Sequence, residues 1–136
     1  MSKAGFRERE HTADWALEVW APDFVGLLEQ AARGVERLSG TRVDETAPSV
    51  LHRLSLPAED AETALVEFLN ELLFLRDVYG RWYRPVHLAW DGKLLQGELR
   101  GFPIAEVEKE VKAATYHNLH VTHDQNGWRA IVVLDV

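Results

Sequence analysis

The stretch from Asp60 to Leu75 constrains this chain more than any other. Asp60 can cap a helix, and Ala61, Ala64, Leu65, Phe68, Leu69, Leu72, Phe74 and Leu75 then make an apolar face too broad for a helix lying on a surface. Such a helix must be buried deeply against a sheet. The preceding residues offer a strand and a second helix. Trp15, Leu17 and Val19 alternate with Ala16 and Glu18, the period of a half-buried strand. Ala21-Pro22-Asp23 breaks that pattern, and Phe24, Leu27, Leu28, Ala31, Val35 and Leu38 then recur at helical spacing until Gly40. Leu54 and Leu56 alternate with Arg53 and Ser55 in a further strand that Pro57 ends.

Beyond Tyr79-Gly80 the helical period is absent. Val86, Leu88 and Trp90 alternate with His87 and Ala89, and Asp91-Gly92 is the signal for a type I′ hairpin into Lys93–Leu99. Pro103 discourages a strand, so 102–112 reads as a loop or short helix. Residues 113–123 and 128–136, joined by Asp124-Gln125-Asn126-Gly127, read as a second hairpin. On its last strand Trp128, Ala130, Val132, Leu134 and Val136 share one face, and Arg129, Ile131, Val133 and Asp135 the other. The expected fold is α+β: one domain over 1–136, a sandwich of two helices packed on a mixed, mainly antiparallel sheet with two C-terminal hairpins. At 136 residues a single core of that size is sustainable.

The chain has no cysteine, which excludes disulfide scaffolds, thiolate metal sites and cysteine nucleophiles. It contains no apolar run of membrane-spanning length and no signal-peptide pattern near Met1, so no membrane association and a cytoplasmic location are expected. Twenty-two acidic against fifteen basic side chains give a net charge of -7, which opposes direct, non-specific binding to a phosphate backbone and suits a basic protein surface. Gly92 and Gly97 have the spacing of a phosphate-loop glycine pair, but Glu98 stands where its lysine must be. His117, His120 and His123 would tempt a zinc assignment on a helix; on a strand, His120 points away from the other two.

Two acidic signatures remain, His11-Thr12-Ala13-Asp14 near the start and Leu134-Asp135-Val136 at the last positions. A strand ending in Asp135 and an α-carboxylate gathers oxygens, and Asp14 brought alongside would complete a hard-cation site. Asp14 as a strand-start acid, Asp135 as a solvated end and His11 and Thr12 as turn-fixing groups are the plainer readings. Glu71 falls beside the apolar face of the second helix, as a rim charge or an acid facing a site. Lys112, beside Tyr116 and His117, is an ion-pair donor or a cation aimed at carboxylates or phosphate.

At these positions the chain resembles the archease family. The resemblance is carried by His11-Thr12-Ala13-Asp14, Leu69-Asn70-Glu71-Leu72-Leu73-Phe74-Leu75, Val111-Lys112-Ala113-Ala114-Thr115-Tyr116-His117 and Gly127-Trp128-Arg129-Ala130 running on to Leu134-Asp135-Val136. It implies a metal-binding accessory protein, not itself a catalyst, that activates an RtcB-type RNA ligase in tRNA splicing and RNA repair by promoting its guanylylation and repeated turnover. RNA and GTP would be met only through the ligase. The resemblance makes Asp14, Asp135 and Val136 the metal ligands, with calcium the expected ion and magnesium or manganese the alternatives. His11, Glu71, Lys112, Tyr116 and His117 would surround them, and no residue is expected to be catalytic. A free-standing metal-dependent hydrolase, with His117 or His11 as base, and a chaperone-like interaction protein are the alternatives.

Overall fold

The computed structural model describes residues 3–9 and 15–136, which fold as two antiparallel sheets with two helices between them. The strands are β1 (Gly5–Arg9), β2 (Trp15–Ala21), β3 (Arg42–Val43), β4 (Val50–Pro57), β5 (Arg81–Trp90), β6 (Leu94–Glu106), β7 (Ala113–Asp124) and β8 (Gly127–Asp135). The helices are α1 (Phe24–Leu38) and α2 (Ala61–Tyr79). The expected α+β class, the two helices and both C-terminal hairpins are present.

The single mixed sheet is replaced by two, and every strand pair among the described residues is antiparallel. The first sheet has the order β1-β2-β8-β7, so the two ends of the chain meet within it. The second is organised by β6, which pairs with β4 from Leu94 to Gly101, with β5 from Leu95 to Pro103 and with β3 at Ile104 and Glu106. Two sheets explain the breadth of the apolar face on α2. The helix touches β7 of the first sheet and β4 and β5 of the second, and Leu65, Phe68, Leu69, Leu72 and Leu75 are all buried. Phe74 departs from expectation and is 57% exposed, while Arg76 is buried, donating to the Val111 carbonyl at 2.8 Å.

Both helix starts were legible. The carboxylates of Asp23 and Asp60 accept hydrogen bonds from the backbone N–H of Gly26 at 2.6 Å and of Thr63 at 2.7 Å. Gly80, at φ 67°, ends α2 in the left-handed conformation open to glycine. The turn after β5 is displaced from its expected form. Among the described residues of that turn only Gly92 has positive φ, which excludes type I′; the Asp91 carboxylate instead accepts from the N–H groups of Lys93 and Leu94. Nor is 102–112 a loop from its start, because β6 runs through Pro103 to Glu106. Proline is tolerated there because the pairing of β6 needs only its carbonyl, which accepts from the Asp44 N–H at 2.9 Å.

Candidate functional site

Strand register decides what meets at the end of the first sheet. Trp15 pairs with Leu134 and Ala113 pairs with Asp135, so the start of β2, the end of β8 and the start of β7 lie side by side. The backbone N–H of Lys112 donates to the Asp135 carbonyl at 2.7 Å. Among the described residues at this end, the Asp135 carboxylate is exposed and the main chain of Val136 follows it. No described residue forms an ion pair with Asp135. Val136 packs its side chain against the core, as the strand phase requires, and the alternation of buried Ala130, Val132 and Leu134 with exposed Asp135 follows the expected faces.

β7 is an outer strand of this sheet, and α2 packs against it. The Asn70 side chain accepts from the Ala114 N–H at 2.8 Å and donates to the Ala114 carbonyl at 3.1 Å, replacing one rung of a missing strand. Sequence reasoning passed over Asn70 in favour of its neighbour Glu71, which is half-buried and makes no ion pair with a described residue. The available signal was an amide-bearing residue embedded among Leu69, Leu72 and Leu73. Lys109 places its Nζ 4.7 Å from the Trp15 ring centre, a cation beside the first residue of β2.

Tyr116 and His117 stand apart from Asp135. Thr115 pairs with Val133 and His120 with Ile131, so Tyr116 to Leu119 bulge out opposite Val132 alone. Thr115 Oγ1 donates to the Val133 carbonyl at 2.9 Å, and Asn118 adopts φ 50°. Burial pushes the Tyr116 hydroxyl up, as do the nearby charges of Glu67 and Asp60, against the lowering effect of Thr63. Among the described residues the exposed His117 ring meets the Asn118 amide, at 3.3 Å. The bulge interrupts the strict alternation expected from His117 to His123, and His123 stacks on Trp128 at 4.2 Å. Among the described residues no three histidine or carboxylate side chains gather into a metal-binding set. His11 and Asp14 lie outside the described residues.

The model of the archease protein family matches residues 6–136. The chain belongs to the archease family. It is 33% identical to protein archease of Archaeoglobus fulgidus over 138 residues, covering 96% of this chain and 98% of that one. The Methanopyrus kandleri archease is 30% identical over 139 residues, covering 96% and 99%. Among solved structures, the chain is similar to an archease from Thermotoga maritima, described as a possible chaperone, with TM-score 0.68, 27% identity and 96% of each chain covered. A Methanobacterium thermoautotrophicum protein solved in solution superposes with TM-score 0.70 at 26% identity, covering 97% of this chain and 99% of that one. The archease fold therefore extends over nearly the whole chain. Among the described residues no helix is long and apolar enough to cross a membrane.

Within this archease fold the donor chemistry at the β8 end suits a hard cation. The available atoms are carboxylate and carbonyl oxygens, there is no thiol anywhere in the chain, and no described cation neutralises Asp135.

Proposed function

We propose that this chain is a metal-binding accessory protein of an RtcB-type RNA ligase, which it activates by promoting guanylylation and multiple turnover without itself catalysing ligation. The observation that carries this reading is the pairing of Trp15 with Leu134, the residues that immediately follow Asp14 and precede Asp135 in sequence. Asp14, Asp135 and Val136 would hold one divalent cation, calcium by preference and magnesium or manganese otherwise. When bound, the cation would neutralise the carboxylates and offer an electrophilic contact to the ligase or its nucleotide. Asp135 and Val136 would present oxygens from the end of the inner strand β8, and Asn70 ties down the start of β7, which Lys112 immediately precedes. Lys112, His11 and Glu71 would contact the partner around the ion, while Tyr116 and His117 would meet it from the bulge. The overall charge of -7 favours approach to a basic protein surface and makes the association salt-sensitive. An assisting role also fits the description of the Thermotoga relative as a possible chaperone.

Multiple-turnover ligation by the cognate ligase tests this. Wild-type protein should stimulate turnover and Asp14→Ala or Asp135→Ala should not. Equal stimulation by all three would remove the metal site from the mechanism, and no stimulation by the wild type would remove the partnership. Chelator-sensitive phosphoester hydrolysis by the isolated protein would select the hydrolase alternative instead.

A further inference from the structure

A cleft of about 660 Å³ opens between α1, β1 and β5, within the range of roughly 300–1,000 Å³ typical of small-molecule sites. Its wall carries four arginines, and they are not equivalent. Arg42 pairs with Glu106. Arg84 is held by both oxygens of Glu36, at 3.1 and 2.7 Å, and by Glu45 at 2.6 Å, with its guanidinium 5.1 Å from the Phe102 ring centre. It is a fixed strut whose charge is answered within the protein. Arg33 and Arg37, exposed and one turn apart on α1, form no hydrogen bond or ion pair with a described residue. Like charges at that spacing repel and weaken a helix, so their coexistence on the cleft wall is unexplained by the fold. Glu29 lies one turn before Arg33 without pairing with it.

We propose that this cleft binds a small organic phosphate, a phosphate monoester carried on an apolar body. Two guanidinium forks side by side match the several oxygens of a phosphate dianion, whereas a carboxylate would be satisfied by one. Phe6, half-buried, supplies apolar surface for the body of the ligand, and the buried Trp82 also lines the cleft. The indole N–H of Trp82 is buried without a hydrogen-bond partner among the described residues, and Glu29 and Glu108 offer acceptors to hydroxyl or amino groups. The inference is independent of the metal-site reading.

Titration of the full-length protein with phenyl phosphate, phenol and inorganic phosphate, followed by calorimetry and by the Trp82 indole resonance, tests the proposal. Phenyl phosphate should bind at least about tenfold more tightly than either phenol or inorganic phosphate and should move that resonance. Arg33→Gln combined with Arg37→Gln, both exposed, should preserve the amide spectrum and weaken phenyl phosphate at least about tenfold. Arg33→Lys with Arg37→Lys, keeping charge but not the forks, should fall between. Unchanged affinity in the glutamine variant, equal binding of inorganic phosphate and phenyl phosphate, or no binding to the wild type would overturn it.

Discussion

Two carboxylates on the same sheet have opposite surroundings. Glu18, on β2, is 2% exposed and surrounded by Arg7, Arg9 and Arg129, with Arg7 Nε at 2.5 Å and Arg129 Nη1 at 2.7 Å. Asp135, at the end of β8, is exposed and has no ion-pair partner among the described residues. Glu18 ties β1, β2 and β8 together. Burial alone would push its carboxyl up, but the hydrogen bonds from Arg7 and Arg129 outweigh burial and hold it below its ordinary value. The contrast separates a charge whose partners are described within the fold from one that has no ion-pair partner among the described residues.

The comparison breaks most easily at Glu18. Glu18→Gln should cost about 2 kcal/mol, less than a fully buried pair would lose because the arginines are about half exposed. Urea unfolding at pH 7 measures it. The pH dependence follows from the same cluster. With the folded-state value lowered, Glu18 contributes stability above its unfolded value and loses that contribution as pH falls through the folded one. The stability gap between wild type and Glu18→Gln should therefore shrink steadily below about pH 4.5 and be flat above it.

Asn70→Ala should cost about 1–2 kcal/mol, since it leaves both the N–H and the carbonyl of Ala114 without their partner. Hydrogen exchange at Ala114 should accelerate together with that loss. Asn118→Gly should change stability by less than about 1 kcal/mol and in the stabilising direction, because φ 50° is readily open to glycine. Asp135→Asn should shift metal-free stability least of all, within about 0.5 kcal/mol, as expected for an unpaired surface group.

The local rules were readable wherever one residue type has one physical reason to be present. Asp23 and Asp60 announced their helices, Gly80 its termination, and the alternation along 128–134 its buried face. What stayed hidden depends on partners distant in sequence. β1 was not anticipated because Phe6-Arg7-Glu8-Arg9 looks like a polar arm until Glu18 and Trp20 are placed beside it. The division into two sheets follows from β2 pairing with β8, about 110 residues later. Pro103 reads as a strand breaker until the single carbonyl it must supply is known. At the β8 end, strand phase made legible that Asp135 is exposed and that Val136 turns toward the core. The bulge that sets Tyr116 and His117 apart leaves no short-range mark other than Asn118. Asn70 was hidden because a side chain that completes a sheet edge is recognisable only once the edge is known.

The central claim is that the oxygens left without partners at the β8 end hold a cation, whereas the Glu18 cluster does not. The most direct measurement is the calcium-dependent shift in melting temperature, compared among wild type, Asp14→Asn, Asp135→Asn and Glu18→Gln. At a calcium concentration about one hundred times the dissociation constant, binding should add about 2.7 kcal/mol, a rise of several degrees. Both aspartate variants should lose that rise, and Glu18→Gln should keep it in full on its lower baseline. A calcium shift retained undiminished in Asp14→Asn and Asp135→Asn, or absent from the wild type under calcium, magnesium and manganese alike, would contradict the account.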